Sequence, residues 1–121
     1  MGFCMSKRYS QRHSPAFVLL FLARGPNYGG AIIKMMKEEI PRFMGDGPMI
    51  YRMLQSLEDE GLVTARWETP ETGRPLKMYE LTDKGWEYLL AAEEEMEKRI
   101  ANHIFFLEEL RKVKNEKYGD S

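Results

Sequence analysis

Met96, Ile100, His103, Leu107 and Leu110 follow one another at alternating steps of four and three residues. That alternation is the seam of a coiled-coil-like helix, and Ile104 and Phe106 widen it. A solitary helix cannot keep such a stripe out of water. The chain must therefore fold so that this segment meets a partner, and at 121 residues it is too short to supply a deep cavity of its own as well. The helix is expected to open at Thr82, a hydroxyl cap, with Asp83 complementing its positive end, and to run to about Lys114.

A second demand comes from the other end. Ser14-Pro15 is a helix start, a capping hydroxyl followed by a residue whose missing N–H costs nothing in the first turn. Ala16 to Ala23 are almost all apolar, so this first helix needs cover on both sides, and Phe17 and Phe21 join the long seam as expected interface residues. Arg24-Gly25-Pro26-Asn27 stops it. Tyr28 to Ile40 reads as a second helix with Ile32, Ile33, Met35 and Met36 inward, ended by Pro41. Asp46-Gly47-Pro48 opens a third, whose Ile50, Leu54, Leu57 and Gly61 recur at helical spacing.

Val63, Ala65 and Trp67 alternate with Thr64, Arg66 and Glu68, the period of a half-buried strand, and Tyr79 and Leu81 repeat it. Between them Pro70, Gly73 and Pro75 break the ladder into a loop. The expected fold is mainly α with a small β-hairpin. Helix, helix, helix, strand, turn, strand, helix is the order of a winged helix-turn-helix with a long C-terminal dimerisation helix. Residues 1–13 are expected to form a basic, flexible N-terminal arm, residues 14–85 the winged helix-turn-helix, and residues 86–121 the dimerisation helix and tail.

That order carries a physical function. An α-helix fits the major groove of DNA, and a slim loop beside it reaches phosphates or the minor groove. Arg52, Gln55 and Ser56 lie off the apolar stripe of the third helix, Pro48 to Glu60, and are the candidates for facing bases or phosphates. Tyr28, Tyr51, Arg74 and Lys77 are the candidates for backbone contact, Tyr51 with its ring packed and its hydroxyl offered outward. The plain alternative for each is a solvated surface residue.

The chain resembles the PadR-like family of transcriptional regulators. Tyr28-Gly29, Gly47 with Ile50-Tyr51-Arg52-Met53-Leu54, Leu57-Glu58 and Glu60-Gly61-Leu62-Val63 carry the likeness. Gly73-Arg74-Pro75, Tyr79-Glu80-Leu81-Thr82 and Gly85 complete it. The resemblance covers about residues 16 to 90 and, with one short tail, is to the small subfamily. It implies a homodimeric repressor joined through the C-terminal helix, bound to double-stranded DNA at a palindromic operator, with a small hydrophobic or aromatic effector as a further partner. Gly30, Met49, Leu76, Met78 and Glu80 depart from the family's usual aromatic, hydroxyl or basic residues, which lowers the expected affinity for DNA. Met96, where a flat ring would suit a drug-binding pore, argues against a pore for planar drugs.

The remaining features bound the answer. A formal charge of −1 is far from that of a histone-like tail, although Lys7, Arg8 and Arg12 precede any acid. Cys4 stands alone, which removes any intrachain disulfide, and no stretch reaches the ~20 apolar residues of a membrane span. A cytoplasmic protein is expected, the Met1-Gly2 myristoylation pattern being too short to weigh against it. Two histidines and one cysteine without metal spacing, and no nucleophile motif, exclude an enzyme, a cofactor and a metal from the reading. Trp67 and Trp86 read as core or interface anchors. The competing class is a winged-helix protein-interaction module that has lost sequence-specific DNA binding.

Overall fold

Each boundary in the chain is set by a local chemical event. The structure, a computed structural model, describes residues 15–71 and 73–119. Ser14 and the basic arm therefore lie outside the described residues. Helix α1 (Pro15–Ala23) begins on its proline. Strand β1 (Asn27–Tyr28) leads into α2 (Gly29–Glu39), and α3 (Gly47–Asp59) follows. Asp46 caps α3, its carboxylate accepting from the Met49 N–H at 2.8 Å, with Pro48 in the first turn.

Gly61 ends α3 with a φ of 82°, which an L side chain adopts only under strain. The Leu62 N–H donates to the Leu57 carbonyl at 2.9 Å and the Gly61 N–H to the Glu58 carbonyl at 3.0 Å, so the orphan carbonyls of the last turn are satisfied. Strands β2 (Val63–Glu68) and β3 (Leu76–Leu81) then pair antiparallel, from Val63 opposite Leu81 to Glu68 opposite Leu76. The final helix α4 runs Asp83–Tyr118, one turn beyond the expected end.

The sheet has three strands rather than the two of the expected hairpin, in the order β1-β3-β2. Asn27 and Tyr28 sit opposite Tyr79 and Met78. Two residues are too few to display a period, so Tyr28 reads as a helix opening when it is the strand residue preceding α2.

Residues 1–89 and 90–121 form two units. In the first, the core gathers Val18, Leu19, Phe21 and Leu22 of α1, Ile32 and Met36 of α2, Ile50, Met53, Leu54 and Leu57 of α3, and Leu62, Val63 and Tyr79. Thr82 fastens the start of α4 to this core. Its hydroxyl lies 2.8 Å from the Gly61 carbonyl and 3.0 Å from that of Leu62, and accepts from the Gly85 N–H at 3.0 Å. Gly85 is buried where a Cβ would strike the Leu62 carbonyl and stand 2.5 Å from Leu81 Cδ1. A helix and a strand end meet there at a separation only glycine permits.

Phe21 corrects an expectation. It is 3% exposed, a core residue of its own chain, with the Arg24 guanidinium 4.5 Å from its ring centroid. Phe17 (37%) and Leu20 (47%) are the α1 side chains left facing outward. In a helix apolar on every side no periodicity distinguishes Leu20 from Phe21.

Described by itself, the second unit is one helical segment. Ile100, His103, Ile104, Phe106, Leu107 and Leu110 are all exposed in the single chain, and Met96 is half-buried. Among the described residues no helix is long and apolar enough to cross a membrane.

Candidate nucleic-acid interface

Helix α3 buries one face, Ile50, Met53, Leu54 and Leu57, and that fixes which residues point away. Tyr51, Arg52 and Gln55 are exposed, and Ser56 is half-buried beside them. Among the described residues the Arg52 guanidinium pairs with no acid. Gln55 donates from Nε2 to Asp59 Oδ1 at 3.1 Å along the same helix, leaving its carbonyl and one N–H for another partner.

Tyr51 is 49% exposed, and its ring lies against the start of α2. A Cβ on Gly29 would come 2.6 Å from Tyr51 Cε1, and one on Gly30 would stand 3.6 Å from the hydroxyl. The two glycines are the seat of the ring. Gly30 thus leaves the Tyr51 hydroxyl room at the first turn of α2.

The wing, residues 69–75, is closed by the Gly73 N–H donating to the Pro70 carbonyl at 3.3 Å. Arg74 is exposed on it and pairs with no acid among the described residues. Lys77 is placed differently. Its ammonium sits 3.1 Å from Glu58 Oε1, an oxygen removed from water near the end of α3, and 5.8 and 5.6 Å from the ring centroids of Trp67 and Tyr79. Bonding to Glu58 raises the Lys77 pKa, against the lowering effect of burial. Burial in turn raises that of the Tyr79 phenol.

Tyr28 is also engaged. Its hydroxyl donates to Glu68 Oε1 at 3.0 Å, which raises its pKa, and Arg66 Nε reaches Glu68 Oε2 at 3.1 Å. A phosphate at Tyr28 would have to displace a carboxylate and then tolerate its charge. The structure thus brings Tyr51, Arg52, Gln55 and Ser56 together on one element with Arg74 on a second, while Tyr28 and Lys77 face acids.

Sequence reasoning missed Glu58 and Glu68, the acids that hold Lys77 and Tyr28. They lie far from their partners in the chain, and no local pattern announces such pairs. Of the two readings of Trp67, core or interface anchor, its 67% exposure at the foot of the wing removes the first. Strand alternation puts Trp67 on the same face as buried Val63 but past the edge of the core.

A search of curated proteins returns no match. The Bacillus subtilis PadR solved in complex with operator DNA aligns at 35% identity over 64% of this chain, with a TM-score of 0.59. This chain spans 44% of the length of that protein. A PadR-like transcription factor from Bacteroides fragilis aligns at 30% identity over 74% of this chain and 87% of its own, TM-score 0.61. A PadR family regulator from Eggerthella lenta aligns at 25% identity over 77% and 82%, TM-score 0.66. The model of the transcriptional regulator PadR-like family matches residues 18–91, and on that match, with the winged-helix geometry beneath it, the chain belongs to the PadR-like family of transcriptional regulators.

Proposed function

We propose that this protein is a DNA-binding transcriptional repressor that acts in the cytoplasm as a homodimer on a palindromic operator. The observation that carries the reading is the pairing, within one unit, of an outward polar face on α3 with an exposed wing arginine. Arg52, Gln55 and Ser56 enter the major groove, the Tyr51 hydroxyl donates to a phosphate, and Arg74 forks onto the backbone beside it. The Bacillus subtilis relative, solved in complex with operator DNA, supports DNA as the partner.

Residues 14–85 read the DNA and residues 86–121 join the copies. The exposed stripe of α4 supplies the dimer, since Ile100, Leu107 and Leu110 gain burial only against another helix. A two-fold dimer meets half-sites one or more helical turns, ~10 bp each, apart. A small hydrophobic or aromatic effector relieves repression by favouring a half-site separation that no longer fits.

Gel shifts with duplex fragments spanning the DNA around the protein's own gene, at two salt concentrations, test this. Binding is expected to weaken steeply with salt, and Arg52→Ala and Arg74→Ala are each expected to cost about tenfold or more. Absence of any shift above nonspecific background at low salt overturns the reading. It would favour a protein-interaction module, the alternative suggested by the near-neutral charge.

A further inference from the structure

Lys77 and Glu58 belong to the two elements that the DNA-binding reading sends to the duplex. Glu58 lies in the last turn of α3, and Lys77 is the second residue of the strand returning from the wing. Trp67 stands directly opposite Lys77 in the β2–β3 ladder, and Tyr79 lies two residues on along the same face. Their rings flank the ammonium, and the Glu58 oxygen 3.1 Å from it is buried. A cation paired with a carboxylate oxygen that is out of water, and set beside two rings, is not one offered to a phosphate.

We propose that Lys77 is a positioning residue: with Glu58, and walled by Trp67 and Tyr79, it latches the wing to the end of α3. The latch fixes the separation at which Arg74 and the outward face of α3 meet DNA. Directional hydrogen bonds weaken steeply with misalignment, so a wing free to swing gives up contacts that it still possesses chemically. Both side chains keep part of their surface in water, 26% and 31%, so the preference for this arrangement comes from the ring-flanked geometry of the contact rather than from burial of either charge. This inference rests on the proposed DNA binding for its consequence but not for the latch itself.

Two roles for Lys77 predict opposite signs at Glu58. If Lys77 is a phosphate ligand held back by Glu58, Glu58→Gln frees a cation, deletes an anion and tightens binding. If the pair is a latch, Glu58→Gln weakens binding although it removes negative charge from a surface near DNA.

The decisive experiment measures fluorescence anisotropy of labelled duplex fragments tiling the region around the protein's own gene, over a salt series, with folding checked by circular dichroism. Lys77→Ala is expected to lose about tenfold in affinity with the log K against log salt slope unchanged, whereas Arg74→Ala reduces that slope by about 1. Glu58→Gln is expected to lose several-fold, and the exchange Glu58→Lys with Lys77→Glu to recover part of the loss. A slope reduced by about 1 in Lys77→Ala, or tighter binding by Glu58→Gln, overturns the proposal. A second arm needs no DNA: hydrogen exchange of the wing amides is expected to quicken about tenfold in both Lys77→Ala and Glu58→Gln. Unchanged exchange overturns the latch. If exchange responds while no fragment binds the parent protein, the latch stands and the DNA-binding reading fails.

Discussion

Residues 15–89 and the helical segment from Leu90 onward handle apolar side chains in opposite ways. The first unit puts Leu19, Ile32, Ile50, Leu54 and Leu57 wholly out of water by its own folding. The second leaves Ile100, Ile104, Phe106, Leu107, Leu110 and Val113 in it. At about 25 cal/mol per Å² of apolar surface, a stripe of that kind is a standing drive to associate. One region is therefore packed by its own residues, and on the proposed reading the other takes its packing from a second molecule.

Substituting one leucine in each region breaks or sharpens that contrast. In the proposed dimer Leu107→Glu puts a charge into the two-fold seam, twice per dimer, at a cost of about 3–5 kcal/mol or more for the uncompensated charge. Sedimentation is expected to show a monomer whose melting temperature no longer depends on concentration. Leu54→Ala empties a fully buried site and is expected to cost about 2–5 kcal/mol at any protein concentration, with the dimer intact once folded. A parent protein that is already monomeric, or a Leu107→Glu variant that stays dimeric, removes the basis of the comparison.

How far the sequence displays this contrast depends on whether the deciding interactions are local. Asp46 capping α3 and Thr82 opening α4 are visible because each acts within a few residues of itself, through a carboxylate or a hydroxyl. The α4 seam is visible because helical spacing is local too. Three things were not. The residue exposed beside Phe17 on α1 proved to be Leu20 rather than Phe21, since an unbroken apolar run carries no phase. Strand β1 has two residues and borrows its identity from β3. The pairs Lys77 with Glu58 and Tyr28 with Glu68 exist only once the sheet has brought the ends of distant segments together. The candidate interface was legible as a face and a loop, and its charge pairing was not.

Within the first unit, the junction that fastens α4 can be tested more gently. Gly85→Ala adds the good helix former, which by propensity alone stabilises by up to about 1 kcal/mol. Here the new methyl meets the Leu62 carbonyl, which is backbone and cannot turn aside, as well as Leu81 Cδ1. Strain wins, and a net loss of about 1–3 kcal/mol is expected by chemical denaturation. A neutral or stabilising Gly85→Ala would mean that α4 is seated more loosely on the strand ends than the contacts indicate.

The smallest expected effect lies at the surface of the same unit, where Arg24 grips Glu39 with two bonds of 2.8 and 3.1 Å. That bonding holds the Glu39 carboxyl below the ordinary carboxylate range. A carboxyl with a depressed folded-state pKa contributes stability at neutral pH. The contribution declines as pH falls from the unfolded-state value through the depressed one, and below both it is gone. Both side chains are about half exposed, so solvent screens the pair, and its effect on melting is expected to fall within the scatter of ordinary surface substitutions. The carboxyl's own titration is the sensitive readout. Following the Glu39 carboxyl carbon by NMR, Arg24→Ala is expected to move its midpoint upward, while the buried leucines of the core keep their shifts. A midpoint that stays put would show that the two side chains spend their time apart in solution. The first unit would then owe its stability to apolar packing and caps alone.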